Sequence, residues 1–303
     1  MRSLLPAFLL AALAGCATPA YVDRPSSNQD GRIRYLVLHF TDENYERSLD
    51  LLTRPHDNPV SAHYLVSRAG EAGRASPTVL RLVDESQRAW HAGPSRWQGH
   101  EPLNGESIGV EIVYESHCPR DAPRVAESSP WDVDATCAYP DWPADQIAAV
   151  IELAHGILKR HPEIEPTRVV GHSDIQPENK TDPGPRFPWK QLAAAGVGVW
   201  FDDADVDWYR QRFEQSLPDA PALFDALAAY GYGLQAYSRG ELRRRDVVSA
   251  FQSHFLPDHR TGAFDARTAA TLFALLSRHR PEEFAHLRER WPQLPPPRSA
   301  ATR

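Results

Sequence analysis

The chain has 303 residues, and this length favours two domains because one hydrophobic core rarely serves so long a chain. With 42% hydrophobic and 24% charged residues, it excludes a disordered chain, a collagen-like repeat and a multi-span membrane protein. The 33 Lys and Arg against 40 Asp and Glu give a net charge of -7, without the basic excess typical of nucleic-acid binding. We therefore expect no nucleic-acid partner.

The N-terminal segment is predicted to be a secretory signal. Residues 1–15 place Arg2 before an apolar run that is too short to span a membrane as a stable helix. They end in Leu-Ala-Gly before Cys16, which resembles the bacterial lipobox, where cleavage precedes the cysteine and its thiol is lipidated. Ordinary signal-peptide cleavage is the alternative. Because Ala17 and not an aspartate follows, the lipobox predicts a lipid anchor in the outer membrane that faces the periplasm.

The next part of the chain alternates between predicted strands and helices. Residues 16–31 are polar and turn-rich, and are expected to form a tether. Short apolar runs then predict strands at 33–39, 63–67, 78–83, 107–113 and 168–172. Two helices are predicted as well. One is the segment of polar and apolar residues at 43–53, and the other has apolar positions at helical spacing within 143–161. This pattern predicts an α/β domain with a mixed β-sheet flanked by helices.

Two further cysteines border what reads as an inserted loop. Cys118 and Cys137 enclose a polar, proline-containing stretch. An even pair in an exported protein favours a disulfide that closes the loop, with two free thiols as the alternative. The pair lacks the close Cys/His spacing of a thiolate zinc site. We therefore predict a Cys118–Cys137 disulfide.

After about residue 217 no strand run remains. The segments LFDALAAYGY, RRRDVVSAFQSHF and DARTAATLFALL predict three short helices separated by glycine-containing turns. Asp265 stands where an N-cap would open the third helix. We predict a small all-α, three-helix domain over residues 217–292 and a disordered tail over residues 293–303.

Candidate catalytic side chains occur at the ends of predicted strands. His39 ends the first strand, His172 ends the last, and Asp182 follows in a loop rich in proline. Two imidazoles and one carboxylate leave a fourth position open on tetrahedral zinc, as a hydrolytic site requires. Glu111 stands inside an apolar strand, where an unpaired charge is costly, so it needs a partner or a catalytic role. Spacing alone does not gather these residues, and a structural role is the alternative for each histidine.

Five motif blocks over about residues 30–200 resemble the zinc-dependent N-acetylmuramoyl-L-alanine amidases of the AmpD/AmiD type. In order, the blocks are VLHFT, SAHYLVSRAG, AWHAGPSRW, LNGESIGVEIV and VVGHSDIQPENKTDPGPRFPW. The segments AYGYG, VVSAFQSHF and TGAFDARTAATLFALL are similar to the peptidoglycan-binding module of the lipoprotein members of this family. The resemblance implies the amidase fold, with the catalytic domain over residues 32–215.

The resemblance also implies roles for individual residues. His39, His172 and Asp182 are expected to bind one zinc ion per chain, Glu111 to act as the catalytic acid and base, and Lys180 to stabilise the oxyanion. A structural carboxylate and a surface lysine are the alternatives for Glu111 and Lys180. Three residues of other motif blocks are expected to shape the cleft or bind sugar and peptide: Tyr64, His91 and Asn104.

The implied reaction is hydrolysis of the amide between the lactyl group of N-acetylmuramic acid and the L-alanine of the stem peptide, in cell-wall turnover. The expected partners are peptidoglycan or its fragments, and the expected state is a monomer. Two alternatives are a non-catalytic muropeptide recognition protein and a zinc peptidase that cuts within the stem peptide. The insertion at 118–137 is the main departure from the family's pattern, and it puts the substrate range in question but not the reaction.

Overall fold

The computed structural model describes residues 22–118, 129–234 and 240–298, with side chains from 244 in the last range. The predicted signal peptide 1–15 and Cys16 lie outside the described residues. By its internal contacts the chain divides into two units, Met1–Asp30 and Gly31–Arg303. Within the described ranges, none of the helices is long and apolar enough to cross a membrane.

Five strands form one mixed sheet in the order β3-β2-β4-β1-β5. The strands are β1 Tyr35–Phe40, β2 Tyr64–Val66, β3 Val79–Arg81, β4 Ser107–Ile112 and β5 Val169–Gly171. β1 pairs in parallel with β4 and β5, and β2 pairs in parallel with β4, whereas β3 is antiparallel to β2. Each strand overlaps a segment that the sequence predicts as a strand, and the α/β class with a mixed sheet is confirmed.

Helices surround this sheet and form the C-terminal part of the chain. In the described residues they are α1 Tyr45–Thr53, α2 Pro130–Asp134, α3 Ala144–Arg160, α4 His172–Ile175, α5 Trp189–Ala194, α6 Asp203–Phe213, α7 Ala220–Tyr230, α8 Gly240–Phe255, α9 Ala266–His279 and α10 Pro281–Arg290. α3 forms where its apolar spacing predicts it, and its Ile147 and Val150 are buried against Leu36 and Leu38 of β1.

The alternation of side chains along β1 gives the sheet two distinct faces. Leu36 and Leu38 lie in the cluster with α3, whereas Tyr35 and Val37 lie in a second cluster. Because side chains in a strand point to alternate faces, His39 lies on the same face as Val37. The face opposite α3 therefore carries the first candidate ligand.

The C-terminal helices share the core on this second face. Phe251 and Phe255 of α8 are buried in the same cluster as Tyr35 and Val37. The boundary predicted at about residue 217 falls between α6 and α7, and residues on both sides of it contribute to this one core.

Among the described residues after position 217 there are four helices, α7 to α10, where the sequence predicts three. α10 escapes prediction because its segment is strongly charged and buries only Phe284 and Leu287. The N-cap predicted for α9 is present: the Asp265 carboxylate accepts a hydrogen bond from the Thr268 backbone N–H at 2.8 Å.

The disorder predicted for residues 293–303 is wrong for the first part of this tail. Leu294 is buried in the shared core. The Tyr209 hydroxyl donates to the carbonyl oxygen of Pro296 at 3.3 Å, and Arg298 pairs with Asp205 at 3.2 Å. The prolines favour an unpacked segment, but contacts of Leu294, Pro296 and Arg298 with the helical part of the chain order it. Residues 299–303 lie outside the described part.

Candidate active site

Three side chains converge at the carboxyl end of two neighbouring strands. His39 lies near the end of β1, His172 directly follows β5, and Asp182 lies in the loop after α4. The Nδ1 atoms of His39 and His172 are 3.0 Å apart. Oδ2 of Asp182 lies 3.1 Å from the first and 3.3 Å from the second of these nitrogens. The parallel pairing of β1 with β5 places the two histidines side by side.

This group fits a tetrahedral zinc ion. Ligand atoms at about 2.0 to 2.2 Å from such an ion lie about 3.3 Å from one another, close to the spacing of the three atoms here. It is the one group of at least three His, Cys, Asp or Glu side chains within the described ranges that could hold a metal ion. Two imidazoles and a carboxylate leave one coordination position for a water or substrate, as in catalytic zinc sites.

The electrostatics of the group favour metal binding. Burial and the neighbouring His172 lower the pKa of His39 to about 4, so the ring is neutral and can donate a lone pair. Burial raises the pKa of Asp182, but the two imidazoles outweigh it and hold that pKa well below its usual range. The two residues are therefore in the protonation states that ligate zinc.

A chain of hydrogen bonds orients the His39 ring. The Ser107 hydroxyl donates to the carbonyl oxygen of Leu103 at 2.8 Å, so it accepts from Nε2 of His91 at 3.1 Å. Nδ1 of His91 then accepts from Nε2 of His39 at 3.0 Å. This assignment leaves the Nδ1 lone pair of His39 directed at the metal position, which is the usual task of the outer partner of a ligand histidine.

The sequence predicts that His91 shapes the cleft or binds sugar and peptide, whereas in the structure its ring supports His39. His91 is 7% exposed, and both its ring nitrogens are engaged within the protein. The ring lies over Gly109 of β4, where an added Cβ would be 2.3 Å from Cγ of His91. Glycine inside this apolar strand was the signal in the sequence, because it marks a close approach of another group.

Glu111 lies beside the three converging side chains. It is the partner of His39 in the parallel register of β4 and β1, and therefore projects from the same face of the sheet. Its Oε2 atom is buried and has no hydrogen-bond partner within the described ranges. Burial and the charge of Asp182 raise the pKa of Glu111 well above its usual value, with Lys180 opposing them. The Glu111 carboxyl group therefore takes up a proton more readily than an exposed glutamate does.

Lys180 is exposed at the edge of the site, two residues before Asp182. Its positive charge lowers the pKa of both Glu111 and His39, which places its ammonium group within electrostatic range of both. An exposed cation at this position can stabilise negative charge that develops on a substrate in the cleft.

Tyr64 lies on the opposite face of the sheet, so its predicted role in substrate binding is wrong. Tyr64 pairs with Val110, and it is the next residue, Leu65, that pairs with Glu111. The Tyr64 hydroxyl donates to the Glu85 carboxylate at 2.6 Å beside α3. Motif membership does not reveal which face of a strand a residue occupies, and a shift of one position reverses it.

The side chain of Asn104 holds the backbone of a neighbouring loop of the site. Its Oδ1 atom accepts hydrogen bonds from the backbone N–H groups of His91 at 3.1 Å and Ala92 at 2.8 Å. Asn104, which the sequence predicts to shape the cleft or bind sugar and peptide, thus uses its side-chain carbonyl group to hold the segment that carries His91.

The inserted loop is closed by a disulfide between Cys118 and Cys137. Residues 119–128 lie outside the described part, and α2 follows them. Tyr139, just after the disulfide, donates to the Asp134 carboxylate of α2. The Tyr139 ring also packs near Gly184, where an added Cβ would lie 3.0 Å from Cε1. The insertion thus lies beside the loop that carries Asp182.

Two residues that support the site are not predicted from the sequence. Ser107 ends the hydrogen-bond chain from His39, and Asp174 caps the turn that begins with His172. The signal for Asp174 was its place two residues after a candidate ligand. Ser107 gave no signal, because a serine at the start of a strand is common.

Comparison with known proteins identifies relatives over most of the chain. The family model described as N-acetylmuramoyl-L-alanine amidase matches residues 29–185. The chain is 40% identical to N-acetylmuramoyl-L-alanine amidase AmiD of Escherichia coli K12 over 251 residues, which are 82% of this chain and 84% of that protein.

Two solved structures are similar in fold as well as in sequence. AmpDh3 from Pseudomonas aeruginosa matches with a TM-score of 0.76 and 38% identity, over 87% of this chain and 99% of that chain. The complex of E. coli AmiD with anhydro-N-acetylmuramic acid-L-Ala-D-γ-Glu-L-Lys matches with a TM-score of 0.70 and 36% identity, over 84% of this chain and 93% of that chain.

Proposed function

This chain belongs to the family of N-acetylmuramoyl-L-alanine amidases, and we propose that it uses zinc to cleave the amide between the lactyl group of N-acetylmuramic acid and the L-alanine of the stem peptide. The observation that carries the proposal is the Glu111 carboxyl group, one oxygen of which is buried without a hydrogen-bond partner in the described structure, beside three converging side chains that can bind a metal ion. A purely structural carboxylate would have both oxygens satisfied.

Three side chains would hold the metal: His39, His172 and Asp182. A bound zinc ion supplies Lewis acidity, which acidifies water and polarises a carbonyl group. The protein contributes the fixed donor geometry, since His39 is oriented by His91 and Asp182 is held ionised by the imidazoles beside it.

Glu111 and Lys180 would carry out the proton and charge steps. The raised pKa of Glu111 allows its carboxylate to take a proton from the attacking water and then to give it to the leaving amine of L-alanine. The Lys180 ammonium would stabilise the negative charge on the carbonyl oxygen, a contact of a kind worth about 3 kcal/mol in the barrier.

The substrate class follows from the relatives. The ligand in the AmiD complex joins anhydro-N-acetylmuramic acid to a peptide that begins with L-alanine, which contains the bond proposed here. We therefore take muropeptides, and the peptidoglycan that yields them, as the substrates of this chain.

The site of action is proposed from the N-terminal sequence. Leu-Ala-Gly before Cys16 supports lipidation and anchoring in the outer membrane, facing the periplasm. Cys16→Ser would then move the protein from the membrane fraction to the soluble fraction, and recovery in the membrane fraction would contradict the anchor. A monomer is proposed as the working state, and light scattering tests it.

The reaction is tested with the purified chain and a Glu111→Gln variant. We expect one zinc ion per chain in both, and free stem peptides with N-terminal L-alanine, seen by mass spectrometry of digested muropeptides, from the wild type alone. A shortened stem that stays on the sugar would indicate a peptidase instead. Zinc binding without any cleavage of muropeptides or peptidoglycan would indicate a recognition protein.

A further inference from the structure

The two histidines of the zinc site are held in different ways. The ring of His39 is fixed through its second nitrogen by His91. The second ring nitrogen of His172, Nε2, is buried and has no hydrogen-bond partner in the part of the chain that the structure describes. The orientation of His172 therefore depends on the backbone of the turn in which it lies.

Asp174 fixes that turn. Its Oδ2 atom accepts a hydrogen bond from the backbone N–H of Gly171 at 2.8 Å, which caps the first turn of α4 just before His172. Within the same turn, the backbone N–H of Ser173 donates to the carbonyl oxygen of Asp182 at 2.9 Å. The turn capped by Asp174 thus sets the positions of two candidate ligands at once.

Asp174 is in turn held by two residues of the C-terminal helical part. The hydroxyl of Tyr232, just after α7, donates to its Oδ1 at 2.6 Å, and Nδ1 of His254 in α8 lies 2.8 Å from its Oδ2. Asp174 is 1% exposed, and a buried carboxylate without such partners would be strongly unfavourable. The His254 ring stacks on Trp189 with 3.9 Å between ring centres, which fixes its plane.

A second connection from the same helices reaches the other side of the ligand loop. Arg260, after α8, pairs with the Asp134 carboxylate, which also accepts from Tyr139. The ring of Tyr139 packs near Gly184, two residues beyond Asp182. The C-terminal helices therefore brace the ligand-bearing loop near both of its ends.

We propose that Tyr232 and His254 are positioning residues of the zinc site: they hold Asp174, and through it the turn that presents His172 and Asp182. This inference rests on the proposed function, because it takes zinc as the ion at the site. The C-terminal helices, which the sequence suggests as a wall-binding module, then also form part of the catalytic unit.

The test measures zinc affinity in the full chain. Tyr232→Phe removes one hydroxyl, and His254→Phe keeps an aromatic ring against Trp189 while it removes the nitrogen that faces Asp174. Tyr209→Phe is the matched control, because it removes a buried hydroxyl from α6 in the same helical region. The zinc dissociation constant is obtained by chelator competition, and the melting temperature of each metal-free protein is recorded alongside.

We expect Tyr232→Phe and His254→Phe each to weaken zinc binding by about fivefold, less than the roughly 10 to 100-fold typical of a partner bonded directly to a ligand, because they act through Asp174. Tyr209→Phe should leave zinc binding within about twofold of the wild type. It should nevertheless lower the melting temperature about as much as Tyr232→Phe and His254→Phe do. If His254→Phe fails to fold, Tyr232→Phe still tests the inference, because it removes only one hydroxyl group.

Unchanged zinc affinity in Tyr232→Phe would overturn the inference and leave the proposed function intact. Equal weakening in Tyr209→Phe would also overturn it, because the effect would then be general loss of stability. A wild-type chain that binds no zinc would overturn the proposed function and this inference together.

Discussion

Glu111 lies directly opposite His39 in the parallel pairing of β4 with β1, so one backbone register positions both the proposed acid and base and a proposed metal ligand. A slip of one residue would turn either side chain to the face of α3. The packing of β4 against α3 prevents that slip, because the slip would remove three buried side chains from this core: Ile108, Val110 and Ile112.

Glu111→Gln should abolish turnover while it preserves the zinc site. The amide keeps the shape of the side chain but cannot exchange a proton, so we expect kcat to fall by about 10³-fold. Zinc content, measured by mass spectrometry of the metal, should remain at the wild-type level. A parallel loss of zinc would mean that Glu111 supports the ligands and is not the acid and base.

His91→Phe should weaken zinc binding more than substrate binding. Phenylalanine retains a ring over Gly109 but loses the nitrogen that accepts from His39, and loss of such a partner typically lowers metal affinity by about 10 to 100-fold. Ser107→Ala, one hydrogen bond further out, should have a smaller effect. An increase in KM at unchanged zinc affinity would show instead that His91 contacts the substrate.

Tyr64→Phe should leave KM and kcat within about twofold of the wild type, because the hydroxyl lies on the face opposite the zinc site. It removes a hydrogen bond to Glu85, so the free energy of unfolding should fall by about 1 kcal/mol. Denaturant unfolding and steady-state kinetics of the same preparation test both parts. A large increase in KM would contradict the placement of Tyr64.

Glu85 should make stability depend on pH in acid. Its partial burial raises its pKa, but hydrogen bonds from Arg160, Tyr64 and His161 outweigh that effect and lower the pKa from 4.5 to about 2. Because the folded pKa is the lower one, the contribution of Glu85 is present above about pH 4.5 and is lost as the pH falls toward about 2.

Melting temperatures between pH 5 and pH 2 test this contribution of Glu85. The Glu85→Gln variant should lose less stability over that range than the wild type does. Glu152→Gln, which removes an exposed carboxylate from α3, should behave like the wild type. Equal acid sensitivity of all three proteins would contradict the linkage.

Removal of the disulfide should lower stability without loss of zinc. The bond joins residues that are 19 apart in sequence, and closing a loop of that size is worth about 3 kcal/mol in the unfolded state. We expect a Cys118→Ser/Cys137→Ser variant to melt at a lower temperature with unchanged zinc content. A loss of zinc in this variant would show that the insertion helps to hold the Asp182 loop.

Much of the architecture was accessible from local patterns in the sequence. Strands such as β1 and the amphipathic helix α3 follow from apolar runs and helical spacing, which depend only on neighbouring residues. Helix α10 and residues 293–298 were not accessible, because a charged segment and a proline-rich one are stabilised here by contacts with distant helices.

The residue types of the site could be identified from the amino-acid sequence, because five of them stand in motif blocks of the amidase family: His39, Glu111, His172, Lys180 and Asp182. Which side chains face one another is visible only in the folded structure. It turned Tyr64 away, placed His91 behind a ligand, and brought Tyr232 and His254 to Asp174. Strand register and the packing of distant helices determine such contacts, and neither is encoded in the spacing of residues along the chain.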